Sequence, residues 1–163
     1  MHLLVSPHAD DETLFAAYTI IRLKPLVLIV TDDDRTPEIA HIRREESRQA
    51  MKILGADVKF LGVKESQFTP MSLNEFDFEC DLLFTPAIQG GHIHHDQVGR
   101  YFKSGSIHYA TYTKQSLIPY GNVEVIPTKE EMDIKNRALD CYKSQMNNGH
   151  FEHVRNRSEF YVM

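Results

Sequence analysis

Short runs of wholly apolar residues alternate with longer amphipathic stretches, and this alternation constrains the fold more than any other feature of the chain. Leu3-Leu4-Val5-Ser6 ends at Pro7, and Leu26-Val27-Leu28-Ile29-Val30 follows Pro25. Runs this short and this apolar read as strands buried on both faces, the kind found in parallel sheets. Between them, Asp11 to Leu23 carries Leu14, Ala17, Tyr18 and Ile21 on one helical face. Thr36 stands as an N-cap with Pro37 at the first helical position, so a second helix is expected from Pro37 to Leu54, stopped by Gly55. Its apolar face reads Ile39, Ile42, Ala50 and Ile53.

Val58 to Leu61 and Asp81 to Thr85 read as the third and fourth strands, the latter ending at Pro86. A Gly90-Gly91 loop and a histidine cluster lead to a helix expected around Gln97 to Lys103. Ile107 to Tyr112 and Val123 to Ile126 read as later strands, and Thr128-Lys129-Glu130-Glu131 has the capping-box form that opens a last helix to about Lys143. The order strand, helix, strand, helix, strand predicts an α/β fold: a Rossmann-like, parallel-rich sheet with helices on both faces. A single domain over residues 1–163 is expected, since a chain of this length buries about 70% of its unfolded surface in one core.

Several function classes fall away on composition. No apolar run approaches the roughly 18 residues of a membrane span, and the amino terminus lacks the basic segment and cleavage site of a signal peptide. Cys80 and Cys141 lie far apart and outside C-x-x-C spacing, which argues against a disulfide scaffold and fits a reducing, cytoplasmic compartment. A net charge of -5 without a long basic run argues against nucleic-acid binding.

Two clusters carry chemistry. His8, Asp10 and Asp11 fall within four residues at a strand-to-helix turn, Pro7-His8-Ala9-Asp10-Asp11-Glu12. Imidazole and carboxylate are good zinc ligands, and one aspartate can bind metal while its neighbour holds a water. The same acidic residues equally suit a helix N-terminus, where negative charge is favoured. The second cluster, Gly90-Gly91-His92-Ile93-His94-His95-Asp96, also follows a strand. Alone it reads as a histidine-rich surface patch. In a parallel sheet, however, segments that follow strands meet at one edge, where ligands bind. Three protein ligands with an open position make a catalytic zinc site. On the second helix Arg43 precedes Glu46 by one turn. The two read either as an ordinary ion pair or with Arg43 directed along the sheet edge toward a polar substrate.

These residues resemble the PIG-L/LmbE-like zinc N-deacetylases. The family's opening (A/P)-H-P-D-D-E stands here as Pro7 to Glu12, and its later H-P-D-H as His92-Ile93-His94-His95. Arg43-x-x-Glu46-x-x-x-Ala50-x-x-x-Leu54-Gly55 is similar to the family's first long helix, and Lys143-Ser144-Gln145 to its S-Q signature. The resemblance implies zinc ligands His8, Asp11 and His95, with Fe(II) or Co(II) as alternative ions. It implies Asp10 as general base, His92 as oxyanion stabiliser or proton donor, and Arg43 as a substrate contact. The partner would be a small N-acetylated molecule, of the N-acetylglucosamine type or related to it. Three positions depart from the pattern: Ala9 replaces a Pro, His94 replaces an Asp, and Thr31-Asp32-Asp33-Asp34 occupies the place of a T-x-G turn. With His94 in that place, any hydrogen bond orienting His92 is expected from elsewhere, with Asp96 the candidate.

Two rivals stand beside this reading. His92-x-His94-x-Asp96 resembles the H-x-H-x-D-H motif of two-metal metallo-β-lactamase-like hydrolases, although Gln97 stands where the last His should be and that fold begins with an antiparallel, strand-rich half. A non-catalytic metal-binding α/β domain is the other.

Overall fold

The structure, a computed structural model, describes residues 1–111, 116–117, 121–146 and 149–163. Seven strands form one sheet: β1 (His2–Ser6), β2 (Leu26–Asp32), β3 (Val58–Lys64), β4 (Leu82–Pro86), β5 (Ile107–Tyr109), β6 (Val123–Val125) and β7 (Glu159–Val162). Their order is β3-β2-β1-β4-β5-β7-β6. The first five in this order run parallel, and β7 and β6 close the far side antiparallel. An antiparallel, strand-rich first half is therefore absent, and with it the frame of the two-metal rival.

Side chains alternate across the strands and divide the core in two. Leu4, Val27, Ile29 and Phe84 face α1 (Asp11–Leu23), α2 (Pro37–Leu54), α4 (Lys129–Leu139) and α5 (His150–Val154). Leu3, Val5, Leu28 and Val30 face α3 (Ile93–Tyr101) and a 3-10 turn at Pro70–Glu75. Helices thus cover both faces, as expected. Gly99 lets α3 lie close on β4, since a Cβ there would stand 2.6 Å from the Pro86 carbonyl oxygen. Among the described residues, no helix is long and apolar enough to cross a membrane, and Cys80 and Cys141 are free.

Several expectations need correction. The third helix begins at Ile93 rather than near Gln97, so His94 and His95 lie on a helix whose N-cap is His92. The last long helix ends at Leu139, and α5 and β7 add two elements beyond it. β5 stops at Tyr109, whose ring is core packing and whose hydroxyl donates to Val5 O at 2.8 Å. Tyr112 and Tyr120, considered for a pocket, lie outside the described residues. On α2, Ile42 is exposed, and the buried stripe instead begins Arg43, Glu46, Ser47 before turning apolar at Ala50. A helix buries such polar groups only when they find partners. Those of Arg43 and Glu46 lie at the candidate site.

Candidate metal centre

The turn after β1 is built so that each of its carbonyls is occupied. Pro7 O accepts from Thr31 N at 2.9 Å and from Thr31 Oγ1 at 2.8 Å. His8 O accepts from Ser6 Oγ at 2.9 Å, and Ala9 O from Arg43 Nη2 at 2.7 Å. Asp10 O begins the α1 ladder. Glu12 is fully buried and organises the same turn. Its Oε2 accepts Asp10 N–H at 3.0 Å and Ser6 Oγ–H at 3.2 Å, while Tyr142 donates its hydroxyl to Oε1. Asp10 is consequently held at φ 135°, a left-handed backbone that a residue with a side chain adopts only under strain.

This turn and the start of α3 meet at the carboxyl edge of the sheet. Asp11 Oδ2 lies 2.9 Å from His8 Nδ1 and 2.8 Å from His95 Nε2, and the two ring nitrogens are 3.3 Å apart. All three residues are buried. On its other side, His95 Nδ1 is 2.9 Å from Thr111 Oγ1, which fixes the ring's orientation. A tetrahedral ion with bonds of about 2.0–2.1 Å needs donors roughly 3.3 Å apart. The triangle would have to widen by about half an ångström at most, and a two-imidazole, one-carboxylate set suits zinc, Fe(II) or Co(II). The residues fit such an ion.

The electrostatics follow from this crowding. Burial pushes the Asp11 carboxyl up, but His95 and His8 outweigh it and hold the group well below the usual carboxylate range. Burial works against a charged His8, yet the Asp11 carboxylate prevails and raises it. Asp10 is raised well above its ordinary value, first by burial and then by Asp11, with Arg43 opposing. His92 is pushed down to about 4, by burial and by the neighbouring rings of His8 and His95. Its Nδ1 accepts the backbone N–H of His94 at 3.3 Å, so the neutral ring carries its proton on Nε2.

Arg43 and Glu46 do not pair with each other. Arg43 Nη1 donates to Asp33 Oδ2 at 3.0 Å, and Nη2 reaches Asp10 Oδ2 at 3.3 Å. Glu46 instead accepts Ser144 N at 2.8 Å and Ser144 Oγ at 2.6 Å, tying the S-Q segment to α2. The altered Thr31 to Asp34 turn is likewise structural. Asp32 pairs with Arg44, Asp33 with Arg35 and Arg43, and Asp34 Oδ2 accepts Ser66 N at 2.6 Å. Asp96 is not a partner of the His92 ring; its carboxylate takes the backbone N–H groups of Gln89 and Gly90 at 2.9 and 3.0 Å. Sequence reading missed Thr111, Tyr142 and the organising role of Glu12. Only Glu12 carried a signal, as the last residue of the opening motif.

No curated protein matches the chain in sequence. Among solved structures, the 4-carboxy-2-hydroxymuconate hydratase GalB from Pseudomonas putida is similar at a TM-score of 0.74 and 12% identity, over 94% of this chain and 82% of that one. The zinc-inhibited form of teicoplanin deacetylase is similar at 0.68 and 15%, over 89% and 84%. An antimicrobial pseudoaglycone deacetylase is similar at 0.70 and 17%, over 97% and 94%. At such identities the likeness establishes the fold alone, and this fold hosts a hydratase as well as deacetylases. The family is decided by sequence: residues 3–104 match PIG-L, the GlcNAc-PI de-N-acetylases, and the chain belongs to that family.

Proposed function

We propose that the protein is a metal-dependent hydrolase that removes an acetyl group from an amide nitrogen. The substrate is a small molecule of the N-acetylglucosamine type or a related one, and the products are acetate and a free amine. The observation that carries this reading is the convergence of His8 Nδ1, Asp11 Oδ2 and His95 Nε2 within 3.3 Å of one another, with Asp10 beside them. Membership of a family described by de-N-acetylation supports it.

In this reading His8, Asp11 and His95 hold zinc, with Fe(II) or Co(II) as alternatives. The bound ion supplies a Lewis acid that polarises the amide carbonyl and acidifies water. Asp10 takes the proton of the attacking water. Burial and Asp11 raise its pKa, so a carboxyl that takes the proton can also return it to the departing amine. Arg43 holds the Asp10 carboxylate in place, and its charge beside the turn is available to a polar group of the substrate. His92, with its proton on Nε2, donates to the carbonyl oxygen as charge develops there. Removal of one such donor costs about 3–4 kcal/mol in other enzymes.

The test is acetate release from a panel of N-acetylated sugars and amines by zinc-loaded protein, with Asp10→Asn as control. Release by the native chain and its loss in the variant are expected. No release from any compound, or equal release by the variant, overturns the proposal.

A further inference from the structure

The ring of His8 faces two ways. Nδ1 points into the buried triangle with Asp11 and His95, while Nε2 lies 2.9 Å from His94 Nδ1 on the solvent side. His92 stands edge-on to the same ring, with centroids 4.6 Å apart and planes at 81°. One ring nitrogen from each of His8, His92 and His94 falls within 4.8 Å of the other two. The Phe68 ring packs edge-on against His94 at 5.5 Å and backs it from behind.

We propose that His92 and His94, with the outer nitrogen of His8, form a second site for a divalent transition-metal ion at the mouth of the buried one. This rests on the reading of His8, Asp11 and His95 as the ligands of the resident ion. Three imidazoles suit zinc, copper(II), nickel(II) or iron. The set carries no carboxylate and includes the exposed His92, so its ion keeps water in the remaining positions and is held more weakly than the inner one. With both sites filled, His8 would face one ion with each ring nitrogen and lose its last proton. On His92 the ion would take the place of the Nε2 proton, which would leave or move to Nδ1 with loss of the hydrogen bond from His94 N–H. The consequence is regulatory. An ion on His92 removes the donor that the proposed reaction uses, so surplus metal slows the enzyme that a first ion activates. His94, whose Nδ1 lies 2.9 Å from His8 Nε2, makes the outer set possible here.

The experiment is equilibrium dialysis of metal-free protein against increasing zinc, with metal per chain measured directly. The native chain is expected to take up two ions in separate steps. His94→Ala and His92→Ala should each retain the first step and shift the second to zinc concentrations higher by roughly tenfold or more. A single ion per native chain overturns the outer site while leaving the deacetylase reading intact. An unshifted second step in both variants overturns it as well. No bound ion at all removes both readings.

Discussion

Lys135 Nζ lies 2.8 Å from Glu159 Oε1, and this buried pair is spliced into the middle of α1. Lys135 also donates to Leu14 O at 2.9 Å, and Glu159 Oε2 accepts Tyr18 N at 3.0 Å. Those two backbone groups are the ones a regular helix would join to each other. Between them Ala16 leaves helical geometry, at φ -138° and ψ 19°. The pair thus lets α1 bend while α4 and β7 grip it at the bend. Removing one partner strands a buried charge and a backbone group together. Lys135→Ala or Glu159→Ala is expected to cost about 3–5 kcal/mol in urea denaturation. A cost below about 1 kcal/mol in both would mean that water replaces the pair.

Glu131 closes the capping box of α4 and pairs with Arg22. Its Oε2 accepts Thr128 N at 2.7 Å, and Arg22 Nε donates to Oε1 at 2.7 Å. Arg22, with the Thr128 backbone, lowers its pKa to about 2 from an ordinary 4.5. A depressed carboxylate stabilises the fold fully above its unfolded pKa and ceases to do so as pH falls through the folded one. Glu131→Gln should therefore destabilise by about 1 kcal/mol at pH 7, with the ion-pair share reduced by the solvent around Arg22. The gap to the native chain should narrow from about pH 4.5 down to about 2. Equal gaps at pH 7 and pH 3 would show that the charge contributes nothing.

Arg43 touches both the proposed base and the turn that carries it, so its replacement should tell positioning from substrate contact. Arg43→Gln removes the charge that opposes the rise in the Asp10 pKa. If Arg43 acts through Asp10, kcat falls and the basic form of Asp10 appears at higher pH, moving the acid limb of the kcat profile upward. If its role is only to bind substrate, KM rises with the profile in place. Arg43→Lys should recover little, because one ammonium cannot span Asp33, Ala9 O and Asp10 as the guanidinium does.

The legible parts of this molecule are those that leave a periodic or local trace. β1 and β2 announce themselves as apolar runs, α2 and α4 carry their caps in the sequence, and α1 shows its apolar face. The meeting of the His8 turn with the His95 helix was also accessible, because both follow parallel strands. The start of α3 was hidden, since Ile93 is exposed and its N-cap is a histidine ring rather than one of the usual capping residues. α5 and β7 were hidden by their brevity, five and four residues. Contacts between polar residues far apart in sequence were equally hidden. Glu46 with Ser144, Glu12 with Tyr142 and Arg43 with Asp33 hold the site together, yet no spacing rule connects them.

The strained backbone of Asp10 gives the sharpest separation of stability from activity. At φ 135° the residue is costly for any side chain, by about 1–3 kcal/mol, whereas glycine adopts such angles freely. Its side chain makes no capping hydrogen bond at the start of α1, so none is lost on truncation. Its carboxylate is also a second negative group beside Asp11 in a buried site. Arg43 would keep Asp33 and Ala9 O as partners without it. Asp10→Gly should therefore stabilise the fold by up to about 1 kcal/mol, after the extra chain entropy of glycine is offset. Asp10→Ala removes the same carboxylate but keeps the strain, and should be less stable than Asp10→Gly. Both should lose acetate release by more than roughly 100-fold while still binding zinc at His8, Asp11 and His95. An Asp10→Gly protein that melts below Asp10→Ala would show that the turn is not strained. A variant that keeps its activity would remove Asp10 from the chemistry.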